Sequence, residues 1–294
     1  MRIKKRLSIK QILSITWKID LSMIIFCTII YYLNLYIFPK FILPIAFPAL
    51  MGTAIAFFIG FSNNQAYNRW WEARIIWGGL YNDARIWTRT LLAHCNNKNL
   101  AEQMILRNIA FVYATAGLLR SEKPDNYLSY CTQEDLARLD LRHNIPNSLL
   151  NLQAYDLEQL RQSGAIDGFV FQELHELLIN LGSGLGKSER IHYTVFPTTY
   201  VFFTEIFIWL FIGLITMSIS HNVGNMSIIL GWIMGFVFNV IHLNGMRLMD
   251  PFKEKFLGVP IYTIARNIEI EILQSLGKTN LPQPLLPINN EYLI

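Results

Sequence analysis

Charged side chains are absent from three long runs of this chain, residues 21–39, 41–68 and 206–246. The hydrocarbon core of a bilayer is about 30 Å thick, and a helix crosses it with roughly 20 apolar residues. The first run therefore predicts one span. The second predicts another, ending near Phe61 before the polar run Ser62-Asn63-Asn64-Gln65. The third is long enough for two spans, with the break predicted at the turn-rich residues 220–225. Four spans paired as two hairpins follow. Buried core helices of a soluble protein are the alternative, but such a helix seldom runs 20 residues without a charge on its wet face.

Between the runs the pattern turns helical and charged. Glu72, Arg74, Asp83, Arg85 and Arg89 alternate with apolar positions, so a helix is predicted to continue inward from span two. Residues 100–119 carry only Glu102 and Arg107 and predict a buried helix rather than a fifth span, which would place one terminus on the wrong side. Thr132 followed by Asp135 predicts an N-cap opening a short helix. A helix is predicted over 147–162, stopping at Gly164, and another from Asp167 to about Leu181, ended by Gly182-Ser183-Gly184. The tail 280–294, with Pro282, Pro284 and Pro287, predicts extended or docked coil. No β-rich stretch and no repeat of 20 to 50 residues is apparent.

Composition agrees once it is divided. The chain has 294 residues, 52% hydrophobic and 16% charged. Outside the three runs the charged fraction is about 22%, near the roughly 25% of an ordinary soluble domain. Disorder is excluded by the abundance of large apolar residues. Cys27, Cys95 and Cys131 are an odd, scattered trio and exclude a disulfide framework. The net charge of +4 gives no argument for nucleic acid. Its distribution orients the spans: Arg2, Lys4, Lys5, Arg6, Lys10 and Lys18 precede the first, and Arg69, Arg74, Arg85 and Arg89 follow the second. Arg247, Lys253 and Lys255 follow the fourth, while the outer connections hold only Lys40. By the positive-inside rule both termini and the middle segment are cytoplasmic. Trp70 and Trp71 suit the inner interface. The basic start leads into a long span without a small-residue cleavage site, so no cleavable signal peptide is expected. The expected organisation is a basic cytoplasmic segment 1–20, a hairpin 21–62, a cytoplasmic helical domain 63–196, a second hairpin 197–246, and a cytoplasmic C-terminal helix and tail 247–294.

Motifs for chemistry are missing. There is no HExxH, Cys cluster or GxSxG. The run Gly182-Ser183-Gly184-Leu185-Gly186 follows a helix and lacks the phosphate-loop spacing, which leaves it as a helix terminator. No enzyme activity, cofactor or metal is expected. The rival from another class is a haem or redox protein using His221 and His242, but they are placed at opposite ends of span four, about 30 Å apart, too far for one haem.

Thr53, Phe57 and Phe61 recur at i, i+4 and i+8 and share one helix face, while Gly52, Ala54, Ala56 and Gly60 let backbones approach elsewhere. Spacing alone favours lipid-facing or core aromatics. A hydrophobic pore lining is the alternative, and one stripe encloses a conduit only when several copies surround an axis. The residues that follow change that balance. Gly60-Phe61-Ser62-Asn63-Asn64-Gln65-Ala66-Tyr67-Asn68-Arg69-Trp70-Trp71-Glu72-Ala73-Arg74, then Trp77-Gly78, closely resembles the signature of the bestrophin family in its bacterial branch. Leu185-Gly186-Lys187-Ser188-Glu189-Arg190-Ile191 with Pro197, and Asp250-Pro251-Phe252, resemble two further family patches.

The resemblance implies an all-α membrane protein with four transmembrane helices in two hairpins and a helical cytoplasmic domain. It further implies assembly as a homopentameric ion channel around one axial pore, in a bacterial inner membrane. It carries a pore neck onto Thr53, Phe57 and Phe61, a cytoplasmic aperture onto Phe169, and the signature onto Asn63, Asn64, Tyr67, Arg69, Trp70, Glu72 and Arg74. Its partners are other copies of itself, the lipid bilayer and permeant inorganic ions. Aromatic neck positions resemble the anion-conducting members, so chloride-like anions are expected, with a cation channel of the same build as the alternative. Pairing of Glu72 within the helix bundle is expected over an ion-attracting role for Arg69 and Arg74. Two departures stand out. The animal branch's calcium clasp has Lys253-Glu254-Lys255-Phe256 in its place, too few carboxylates for calcium. Thr53 is polar where the family neck is aliphatic, which should ease wetting.

Overall fold

The structure, a computed structural model, describes residues 9–122, 125–139, 144–253, 257–288 and 292–293. The basic residues Arg2, Lys4, Lys5 and Arg6 and the stretch Glu254-Lys255-Phe256 lie outside the described residues. Nine α-helices are described: α1 (Ile9–Tyr36), α2 (Ala46–His94), α3 (Lys98–Arg120), α4 (Gln133–Arg138), α5 (Ile145–Gln162), α6 (Gly168–Tyr193), α7 (Thr198–Val223), α8 (Met226–Leu248) and α9 (Ile261–Ser275). A 3-10 turn covers Asp125–Tyr130. Among the described residues the only β pairing is an isolated bridge between Ile288 and Tyr292 in the tail.

The chain divides into two compact units. One runs up to Arg69 and resumes over Val195–Met249; the other holds Trp70–Thr194 and the chain from Asp250. Four helices are long and apolar enough to cross a membrane: the stretch Leu13–Tyr36 of α1, then α2, α7 and α8. In the first unit α1, α7 and α8 pack against one another, and Met23, Cys27, Ile55, Ile59, Ile208, Phe211 and Ile212 form its buried core. Two boundaries differ from the sequence expectation. α1 begins well before residue 21 and takes in Lys18 and Asp20, whose carboxylate accepts a hydrogen bond from Thr16 Oγ1 at 2.6 Å. The break expected over 220–225 narrows to Gly224 and Asn225, because α7 continues through Val223 and only Gly224 leaves helical geometry, at φ 60°.

The second unit is built around α3, whose Met104, Ile105, Ile109, Phe111 and Leu119 are buried among Trp77, Trp87, Leu149 and Phe252. Its short helices begin where their caps predict. Thr132 and Asp135 form a reciprocal capping box for α4, and Asp167 accepts from the Val170 amide at the start of α6. The expected stop at Gly182-Ser183-Gly184 is overturned: α6 continues to Tyr193. Those glycines allow close packing rather than ending the helix. A Cβ at Gly184 would sit 2.6 Å from Leu80 Cδ2, so its absence lets α6 approach α2. The tail is irregular, with Leu281 packed on the core and Lys278 paired with Glu102 at 2.7 Å.

Two polar clusters are sealed inside this unit. Arg107, 1% exposed, pairs with Asp135 and Asp156, each at 2.6 Å, and so ties α3 to α4 and α5. The carboxylate of Glu269 on α9 accepts hydrogen bonds from Tyr113 (2.5 Å) and from Tyr130. Burial and that carboxylate push both phenols above the ordinary tyrosine range. Burial first, then the Asp135 charge, raises the Cys131 thiol to about 11, so it stays protonated at neutral pH.

Candidate pore-lining site

The helix that carries the aromatic stripe is α2, 49 residues long. Pro48 lies in its first turn, where a missing amide hydrogen costs nothing, and no proline interrupts it thereafter. Its two faces differ in use. Ile55, Ile59, Ser62 and Ala66 are no more than 2% exposed, whereas Thr53, Phe57 and Phe61 stand outside the chain's own packing. Phe57 is 74% exposed and Phe61 51%. The Thr53 hydroxyl donates to the Ala49 carbonyl at 3.0 Å, leaving its oxygen lone pairs outward as acceptors. The same face continues through Asn64 and Asn68, both exposed.

The signature residues separate into anchors and exposed positions. Asn63 Nδ2 donates to the Ile241 carbonyl of α8 at 3.1 Å. Trp70 Nε1 donates to the Leu257 carbonyl at 2.7 Å, with its ring 6.2 Å from that of Trp71. Glu72 pairs with Arg190 of α6. Asn64 and Tyr67 are exposed, while Arg69 and Arg74 are partly covered. Phe169 belongs to the second unit. It sits in the first turn of α6 beside the Asp167 cap and is 86% exposed. A packing residue would be covered by its own chain; this one is not.

Some contacts of the stripe had no signal in the sequence. Tyr200 on α7 donates its hydroxyl to the Phe58 carbonyl at 2.9 Å, and its ring lies 5.8 Å from that of Phe58. Both this bond and that of Asn63 join residues more than 140 positions apart, beyond the reach of periodicity.

Among the described residues no three His, Cys, Asp or Glu side chains come together as a metal site. Asp250 is paired with Lys253 at 2.8 Å. His221 lies on α7 and not on span four as expected, 3.3 Å from Asn34 Nδ2. His242 is buried on α8 and faces Glu205 at 3.8 Å, roughly 24 Å of helix away from the α7–α8 turn. A separate groove of about 800 Å³ in the second unit is lined by Arg85, Arg89, Glu271 and Gln274. There Arg85 holds Glu271 in a two-pronged pair at 2.5 and 2.6 Å, which keeps that carboxyl below its usual range.

Known proteins are similar to this chain in sequence and in fold. The chain is 28% identical over 240 residues to the voltage-dependent anion channel-forming protein YneE of Salmonella typhi, covering 81% of this chain and 79% of that one. The protein of the same name from Escherichia coli (strain K12) is 27% identical over equal shares. A crystal structure of a bacterial bestrophin homolog from Klebsiella pneumoniae, carrying an L177T mutation, superposes with a TM-score of 0.82 at 23% identity, over 88% of this chain and 98% of that one. The sequence profile described as Bacterial/Fungal Bestrophin protein matches residues 5–274, nearly the whole chain, and the protein belongs to that family.

Proposed function

We propose that this protein is an anion-conducting channel of the inner membrane, a homopentamer with one axial pore. Thr53, Phe57 and Phe61 form its neck and Phe169 its cytoplasmic aperture. One observation carries the reading: α2 buries Ile55 and Ile59 to 2% yet leaves Phe57 74% exposed on the opposite face, where further copies can complete a ring. Both termini are cytoplasmic by the charge distribution. The relatives named as voltage-dependent anion channel-forming proteins support anions over cations.

The process is passage of an ion, with no bond made or broken. A narrow apolar ring expels water, and an ion cannot cross it unhydrated, so the neck gates by wetting. Phenyl rings carry a positive edge and a negative face, so rings turned edge-on to the axis favour a partly dehydrated anion such as chloride. Outward hydroxyl oxygens of Thr53 start the wetted column at the outer end. Below the stripe, Asn64 and Asn68 offer amide groups that rehydrate the ion without binding it as a fixed charge would.

The test is a reversal potential in a chloride salt gradient, with purified protein in a planar bilayer. A potential near the chloride equilibrium value is expected; one near the cation value overturns the selectivity and favours a cation channel of the same build. Phe57→Ala should widen the neck and raise single-channel conductance, and native mass spectrometry should show five copies. Unchanged currents in Phe57→Ala would remove the stripe from the pore.

A further inference from the structure

The neck segment of α2 is held on both sides of Phe61 by the second pair of spans. On one side Tyr200 of α7 donates to the Phe58 carbonyl at 2.9 Å. On the other, two residues past Phe61, Asn63 Nδ2 donates to the Ile241 carbonyl at 3.1 Å. Ile241 and Gly245 are one helical turn apart on α8, and the helix's own i to i+4 bonding runs from the Gly245 amide to that same carbonyl. The Asn63 amide therefore lies over the turn that Gly245 closes. A Cβ built at Gly245 would overlap Asn63 Oδ1 and lie 2.8 Å from Asn63 Cγ, with Asn63 Cα at 3.5 Å. Asn63 Oδ1 is itself buried with no hydrogen-bond partner among the described residues, so the amide is fixed by its donor and by the missing side chain below it.

We propose that Gly245 is a positioning residue for the neck, acting through Asn63: its bare Cα is the seat that lets Asn63 hook α8 and so sets where Phe61 and Phe57 stand. The proposal rests on the channel reading given above. A methyl group at Gly245 cannot be met by a small shift. Asn63 has only two rotatable side-chain bonds, and swinging its amide aside breaks the bond to Ile241. Gly245→Ala is thus equivalent to unhooking Asn63, which makes the two positions a coupled pair rather than two independent packing sites.

The experiment is a double-variant cycle on the full chain reconstituted in bilayers. Gly245→Ala and Asn63→Ala should each change single-channel conductance or open probability by about threefold or more. The double variant should behave as Asn63→Ala alone, because Gly245→Ala has nothing left to displace. Gly245→Ala currents equal to wild type, or an effect undiminished in the Asn63→Ala background, overturn the proposal. If Gly245→Ala does not assemble, Asn63→Ala and Tyr200→Phe test the two anchors separately, and wild-type behaviour in both overturns it. A nitroxide on Phe57→Cys supplies a readout independent of conduction. Increased spin-label mobility in the Gly245→Ala background supports positioning even if the wild-type chain passes no current, which is a failure of the channel reading alone. Unchanged mobility overturns the positioning role.

Discussion

Arg107→Met should be the most damaging single substitution in the second unit. The guanidinium is 1% exposed and holds Asp135 and Asp156 at 2.6 Å each, with Gln153 Oε1 at 3.3 Å. Methionine matches much of the volume and none of the charge, so the substitution isolates the electrostatic part. Removing one partner of a buried pair costs about 3–5 kcal/mol, because the other charge stays buried and uncompensated. Here two carboxylates are stranded, with side chains 2% and 6% exposed. The remaining cation, Arg138, reaches only Asp156, at 3.4 Å from a half-exposed position. The cost should lie at the upper end, about 5 kcal/mol, which lowers the melting temperature by about 10–20 °C for a unit of this size. The assay is thermal unfolding of the detergent-solubilised protein, followed by tryptophan fluorescence. Adding Asp135→Asn and Asp156→Asn removes the two stranded carboxylate charges and should recover part of the loss. A melting temperature of Arg107→Met within about 2 °C of wild type would refute the argument, since it would mean the carboxylates are not desolvated as their burial implies.

Three further outcomes follow from the same geometry. Thr53→Val keeps the shape and removes the outward oxygen; losing one water hydrogen bond per copy, about 0.5–1.5 kcal/mol each, should favour the dry neck and lower open probability in bilayer recordings. Glu271 has its carboxyl depressed by Arg85, so that pair stabilises the fold above the ordinary carboxylate pKa of about 4.3 and is lost as pH falls through the folded-state value. Arg85→Met should therefore lower stability most at neutral pH, flatten the acid limb of a stability–pH curve, and converge with wild type at the lowest pH. Tyr113→Phe deletes a buried donor to Glu269 and should cost about 1–3 kcal/mol by denaturant unfolding. Because the Tyr113 phenol is raised above its unfolded value, its contribution is complete below about pH 10 and is lost only as pH climbs through the folded value. The gap between variant and wild type should hence stay constant from pH 6 to about pH 9.

Much of the fold was legible because lipid leaves so few choices. A backbone in hydrocarbon must satisfy its own hydrogen bonds, and charges there are expensive, so charge-free runs of sufficient length read directly as helices. The caps at Thr132 and Asp167 were legible for a local reason, since each side chain bonds an amide three residues on. Where the reading went wrong, a local rule met a distant neighbour. Gly182-Ser183-Gly184 has the composition of a helix end, yet α6 runs through it because Leu80 occupies the space a Cβ would take. α1 also takes in Lys18 and Asp20, ahead of the charge-free run that predicts the span. The exposed Lys18 ammonium lies 5.7 Å from the Trp17 ring centre, and Asp20 is bonded by Thr16 one turn before it.

The proposed neck was legible only in part, and the reason is physical. In water an exposed phenylalanine at 74% would itself be a sign of missing partners; in a bilayer lipid tails are as apolar as any partner, so exposure does not separate a lipid-facing ring from a pore-lining one. Spacing showed that Thr53, Phe57 and Phe61 share a face and could go no further. The pore-lining reading we propose draws its support from how that face continues. A lipid-facing stripe that reaches the inner interface meets headgroups, where basic and indole side chains are favoured. This face instead begins with a hydroxyl at Thr53 and passes into the uncharged amides of Asn64 and Asn68. The tryptophans Trp70 and Trp71 and the cations Arg69 and Arg74 come only after them. In the ring we propose, an apolar stretch bounded on both sides by neutral polar groups is where an ion sheds and regains water. It gives an isolated chain nothing, since none of these side chains serves its core.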